Sequence, residues 1–173
     1  MKKAMAYFLV FSIIVSTFFI IPSKKSYAAY CGGSTTVTID NDSGANKSSG
    51  SWILNYNSAS KGGNHRTATG GDGNTKYYWR HGFCANPNNH KLFAHLNVSG
   101  FDNDNAKYVA YNGNSGQEVT IAYINQYKIR TAGWSYIGSL TFPPYDFPYN
   151  WVYVSPHTAE AYQKTGADAI EQK

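Results

Sequence analysis

The 173-residue sequence predicts an all-β fold: a single antiparallel β-sandwich, jelly-roll-like, over residues 29–173, behind an N-terminal export segment at 1–28. Three observations lead there. Short runs rich in β-branched and aromatic residues alternate with polar positions, the period of a half-buried strand. Clusters of Gly, Asn, Asp and Ser separate those runs and tolerate the positive φ of tight turns. No long stretch has helical periodicity; 158–164 could form a turn or two and no more.

In chain order the candidate strands are 35–40, 51–56, 65–69, 75–80, 91–99, 107–111, 118–124, 136–142, 151–155 and 167–171. The alternation is plainest in Val119-Thr-Ile121-Ala-Tyr123, whose odd positions can share one face, and in Leu92, Ala94, Leu96 and Val98, with Phe93, His95 and Asn97 opposite. Turns are expected at Asp42-Ser-Gly44, Lys61-Gly-Gly63, Gly70-Gly-Asp-Gly73 and Asn112-Gly-Asn-Ser-Gly116. Strands at this spacing indicate a sandwich or jelly roll.

The export segment has the three parts of a secretory signal: Lys2 and Lys3, an apolar run over 4–21, and small residues Ser26 and Ala28 before a cut. An uncleaved anchor is the competing reading, since the run approaches the minimum span of about 17–20 residues and Lys24 and Lys25 lie beyond it. The sequence favours cleavage and a secreted product without stable membrane insertion. Removing Lys2, Lys3, Lys24 and Lys25 from the 15 basic residues leaves eleven against 10 acids. The basic character therefore belongs to the export segment, and nucleic acid is not an expected partner. Cys31 and Cys84 remain, a pair expected to form a disulfide in an oxidising compartment. Such a loop closure contributes roughly 4 kcal/mol in the chain-entropy model. Lipid modification of Cys31 is the alternative, against which Tyr30 stands where a small residue is wanted.

Val37-Thr-Ile-Asp40-Asn-Asp42, Gly50-Ser-Trp52, His65-Arg66-Thr-Ala-Thr-Gly70, Tyr77-Tyr78-Trp79, Asn105-Ala106-Lys107-Tyr108-Val109, Gly133-Trp134-Ser-Tyr136-Ile-Gly138 and Gly166-Ala167-Asp168-Ala169-Ile170 follow one another along the chain. This order of motifs resembles the golvesin C-terminal domain, a module also found as the carbohydrate-binding-like part of xanthan lyase. The resemblance implies a jelly-roll module that binds glycan or a cell surface, here without an accompanying catalytic domain. Segments 80–90 and 143–150 depart from the family pattern.

Catalytic chemistry finds little support. His65, His81, His90, His95 and His157 lack metal-ligand spacing, and hydrogen-bonded or exposed histidines are expected. A glycosidase wants two carboxylates about 5–9 Å apart, but Asp40, Asp42, Asp102 and Asp104 fall in turns where Asx side chains bond nearby backbone. No catalytic residue, metal ligand or cofactor is assigned. Calcium in the Asp40/Asp42 or Asp102/Asp104 turns stays open, with structural turns preferred. The resemblance implies that Trp52, Trp79 and Trp134 are structural. The segment Phe142-Pro-Pro-Tyr145-Asp-Phe147-Pro-Tyr149-Asn-Trp151 is the candidate recognition loop, with Tyr145, Tyr149 and Trp151 offering flat faces to a sugar. Folding back over a sandwich end is the equal alternative for it.

A non-catalytic module binding an extracellular or cell-wall glycan is thus the expected function. A small secreted antibacterial effector is the second reading, and a wall-polymer hydrolase or lyase the third.

Overall fold

The computed structural model describes residues 36–71, 73–80, 90–96, 99–112, 115–129, 133–140, 150–157 and 159–173. The export segment, Cys31, Cys84, His81, Tyr145 and Tyr149 lie outside the described residues. Among the described residues twelve strands follow one another: β1 (Val37–Ile39), β2 (Lys47–Ser49), β3 (Ile53–Tyr56), β4 (Asn64–Thr69), β5 (Lys76–Arg80), β6 (His90–His95), β7 (Ala106–Asn112), β8 (Glu118–Ile124), β9 (Trp134–Leu140), β10 (Asn150–Ser155), β11 (Lys164–Ala167) and β12 (Ile170–Gln172). A 3-10 turn at Lys61–Gly63 and one helical turn, α1 (Gln126–Ile129), complete the described elements. Among the described residues no helix is long and apolar enough to cross a membrane.

The strands form an antiparallel β-sandwich, with sheet orders β1-β12-β6-β9, β2-β5-β10-β7-β8 and β11-β4-β3. The first two share the core. Ile39, Leu92, Ala94, Leu96, Ile137 and Ile170 come from the four-stranded sheet and its borders, and Tyr77, Trp79, Ala106, Tyr108, Val152 and Val154 from the five-stranded sheet. Alternation alone selects these residues. Tyr77 and Trp79 point inward, so Lys76, Tyr78 and Arg80 point outward.

Three differences from the sequence expectation have physical causes. The strand expected over 167–171 is divided at Asp168 and Ala169, where Asp168 leaves the ladder. Its carboxylate accepts from Lys61 N at 3.0 Å and meets His95 Nδ1 at 2.8 Å, while its carbonyl accepts from Trp79 Nε1 at 3.1 Å. Residues 160–163 make a turn, with Gln163 N donating to Glu160 O at 2.9 Å, before β11 begins. In β8 the alternation breaks: the register with β7 shifts between Tyr108 and Val109, leaving Ile121 as the extra residue of a bulge. Ile121 and Ile124 pack on the core, whereas Tyr123 is turned to solvent. The short polar strand β2 has no counterpart in the sequence expectation, because Lys-Ser-Ser carries no apolar pattern and only its ladder with β5 defines it.

One glycine is required outright. The ring of Phe101 lies flat on Gly166 in β11, so any Cβ there would overlap the ring atoms. Beside it Gln126, fully buried, donates to Tyr108 Oη and Gly166 O, each at 2.9 Å, and accepts from Gly166 N at 2.8 Å.

Candidate functional site

The outer face of the five-stranded sheet gathers side chains that strand register places in rows. In one row Arg80 of β5 pairs with Trp151 of β10, Trp151 with Tyr111 of β7, and Tyr111 with Glu118 of β8. In the next, Lys47 of β2 pairs with Tyr78, Tyr78 with Tyr153, and Tyr153 with Val109. Partners in a ladder share a face, so four aromatic rings converge on adjacent strands.

Their contacts are edge-on or tilted, as ring quadrupoles prefer. Tyr78 stands 5.1 Å from Tyr153, 6.0 Å from Tyr111 and 6.2 Å from Trp151, centroid to centroid. Tyr153 is buried beneath its neighbours, whereas Tyr78, Tyr111 and Trp151 are half-buried and keep part of their surface in water. Three rings thus form the top of a platform, and Tyr153 its base.

Polar groups rim it. Glu118 accepts from Tyr153 Oη at 2.9 Å and from Lys76 Nζ at 3.1 Å, and Lys76 Nζ also lies 4.6 Å from the Tyr153 centroid. Partial burial pushes the Glu118 carboxyl up, but the hydrogen bonds from Lys76 and Tyr153 outweigh it and hold the group below its ordinary range. Burial raises the Tyr78 phenol, and the Glu118 charge adds to the rise; Tyr153 is pushed up by the same two causes. These phenols therefore stay neutral at ordinary pH and act as hydrogen-bonding groups. Adjoining Lys47 is a polar pocket of about 300 Å³ lined by Asn41, Asp42, Asn46, Arg66 and Tyr77 among others.

Of the residues singled out in the sequence, Trp151 belongs to this face, at the start of β10. Tyr145 and Tyr149 precede it in the chain, outside the described residues, as does the expected Cys31–Cys84 pair. Sequence reasoning misses Tyr78, Tyr111, Tyr153 and Lys47. The parity of Lys76-Tyr-Tyr78-Trp-Arg80 around the core pair Tyr77 and Trp79 is the signal for Tyr78; nothing local marks Lys47.

Three of the histidines have structural partners. His65 Nδ1 lies 2.8 Å from Ser60 Oγ, His90 Nδ1 2.7 Å from Gln172 Nε2, and His95 bonds Asp168. Burial lowers His65, with Asp168 opposing. Trp79 is buried, and Trp52 packs edge-on against Tyr77 at 5.4 Å. Asp102 accepts from Lys164 N, distant in the chain, where the sequence predicts a bond to nearby backbone; the local Asx bond of that turn is made by Asn103, whose Oδ1 accepts from Asn105 N at 2.7 Å. Among the described residues no group of three or more His, Cys, Asp or Glu side chains is placed to hold a metal ion.

The solved structures that share this fold include two with a TM-score above 0.5. Part of a xanthan lyase from Paenibacillus aligns with a TM-score of 0.58 and 19% identity, over 80% of this chain and 13% of the lyase. This chain therefore spans only a small part of that enzyme's length. A family 35 carbohydrate-binding module from Clostridium thermocellum aligns with a TM-score of 0.52 and 16% identity, over 79% of this chain and 97% of the module. At these identities the likeness is one of fold, which is that of a carbohydrate-binding-like β-sandwich. No protein-family model matches the chain, and no curated protein sequence matches it.

Proposed function

We propose that this chain is a secreted, non-catalytic module of the golvesin C-terminal kind, binding a glycan on the outer face of its five-stranded sheet. The observation that carries the reading is the platform itself: Tyr78, Tyr111 and Trp151, half-exposed on three adjacent strands with a hydrogen-bonding rim. A pyranose presents an apolar C–H face and an equatorial rim of hydroxyls. Flat rings with polar groups at their edges match both features. The sheet holds the rings in place before the ligand arrives, which lowers the entropy lost on binding. We propose Tyr145 and Tyr149, which precede β10 in sequence, as further sugar contacts.

The likeness to a carbohydrate-binding module and to part of a lyase supports this reading at the level of fold. The chain's one carboxylate among the described residues of this face, Glu118, is already engaged by Lys76 and Tyr153. That arrangement suits a scaffold better than a proton-transfer group.

The test is binding of the mature chain to a panel of soluble and insoluble wall and capsular polysaccharides. Trp151→Ala should weaken retention at least about tenfold, or about 1.4 kcal/mol, while the protein still unfolds cooperatively. Retention equal to that of the parent chain would place the site elsewhere. Export and the Cys31–Cys84 bond are checked together on protein recovered from culture medium. An N-terminus at Ala29 and no free thiol are expected.

A further inference from the structure

The rings of the platform are not bare. Lys47 Nζ lies 4.3 Å from the Trp151 centroid, 4.8 Å from that of Tyr78 and 5.7 Å from that of Tyr111. The residue is exposed on the edge strand β2, and among the described residues no carboxylate lies within ion-pairing distance of it. Arg80 adds a guanidinium whose central carbon is 6.0 Å from the Trp151 centroid. A sugar stacking on Trp151 needs space near the position that the Lys47 ammonium occupies. Something must therefore draw that cation aside.

The charge around it shows what would. Among the described residues Lys47, Lys76, Arg80 and Lys107 share the face by register with one carboxylate, Glu118, and Lys76 already neutralises Glu118 at 3.1 Å. The bias is local, since beyond the export segment the chain carries eleven bases and ten acids after the four lysines of 1–28 are removed from 15. An exposed cation–π contact is weak, whereas a charge-assisted hydrogen bond to an anionic oxygen is stronger. Moving the ammonium from ring to carboxylate is then favourable overall. A neutral sugar must displace it with no such return.

Resting on the glycan-binding reading above, we propose that Lys47 sets the ligand class: its ammonium covers the rings of the unliganded chain and swings to the acid group of a carboxylated polysaccharide, favouring acidic sugar chains over neutral ones. Lys47 is in this sense both a cover and a selector.

Polygalacturonate and its methyl ester share one backbone and differ in charge, so they are the probes. Affinity electrophoresis of the mature chain should show the acid form bound at least about tenfold more tightly than the ester, with the difference shrinking as salt rises. Lys47→Ala should weaken binding of the acid form and tighten binding of the ester. Equal binding of both polymers by the parent chain, or an acid preference that survives Lys47→Ala, would overturn the selector role. So would inorganic polyphosphate competing as well as polygalacturonate, since it has charge and no sugar rings. Trp151→Ala separates the two levels of the argument. If it abolishes binding while Lys47→Ala changes nothing, the selector fails and the platform stands. If it changes nothing, the platform fails too. Binding of neither polymer by the parent overturns the selector, and the wider polysaccharide panel then decides the platform.

Discussion

Replacing Asp40 by asparagine tests how the sandwich tolerates its most crowded acids. The β1–β12 register brings residues 40 and 41 alongside 168 and 169. Asp40 Oδ1, Asn41 Oδ1 and Asp168 Oδ1 are each buried without a hydrogen-bond donor. Burial pushes the Asp40 carboxyl above its ordinary value of 3.8; a backbone hydrogen bond opposes this, and the Asp168 and Asp42 charges add to the rise. The Asp40→Asn substitution would remove one negative charge and supply an amide donor where acceptors are in excess. A buried unpaired acceptor costs about 1–3 kcal/mol, but Asp40 is only partly buried, so screening discounts the gain to about 1 kcal/mol. For a domain of this size that is about 3 °C in Tm. The folded-state pKa lies above the unfolded one, so the penalty is present above the folded pKa and disappears as acid protonates Asp40 toward 3.8. Asp40→Asn should therefore raise Tm at neutral pH and lose its advantage as the pH falls toward 3.8. Calorimetry at several pH values, with and without chelator, is the assay. A lower Tm for the variant at neutral pH, with chelator lowering the parent to match, would refute the reasoning. The unpaired oxygens would then be ligands of a bound cation.

Three further outcomes follow from packing and burial. Gln126→Ala strips three buried hydrogen bonds and leaves Tyr108 Oη and both polar groups of Gly166 without that partner, so denaturant melts should show a loss of about 3 kcal/mol or more. Gly166→Ala forces a methyl into the Phe101 ring, and overpacking of this kind costs about 1–3 kcal/mol; pairing it with Phe101→Leu should recover part of the loss. His65 is held below its ordinary value of 6.5 by burial, so the stability it contributes while neutral is intact above that pH and is lost as pH falls below it. His65→Gln, which can keep a bond to Ser60, should flatten the stability profile in that window.

Much of the fold is legible in the sequence because alternation and turn chemistry are local. The β8 strand over 118–124 has the bounds its alternation predicts, and the Trp79 and Leu92 positions have the burial expected of them. The failures occur where a long-range partner overrides the local pattern. The Ile121 bulge exists because β7 and β8 slip by one residue, β2 exists because β5 supplies a ladder, and the Asp168 break exists because His95, Lys61 and Trp79 hold it. The candidate site is partly legible for the same reason. Trp151 stands out as an aromatic in a Pro-rich setting, whereas its companions are distributed over β5, β7 and β10, and only register unites them. Lys47 cannot be found from its neighbours in sequence at all.

The most direct measurement follows the four tryptophan indoles by ¹H–¹⁵N spectroscopy as a polysaccharide is titrated into the mature chain. A sugar seated on the platform should move the indole resonance of Trp151 first, and leave that of Trp79, buried and bonded to Asp168 O, in place. A glycan that binds while Trp151 stays silent, or that shifts Trp134 or Trp52 in its stead, would contradict a binding face on the five-stranded sheet.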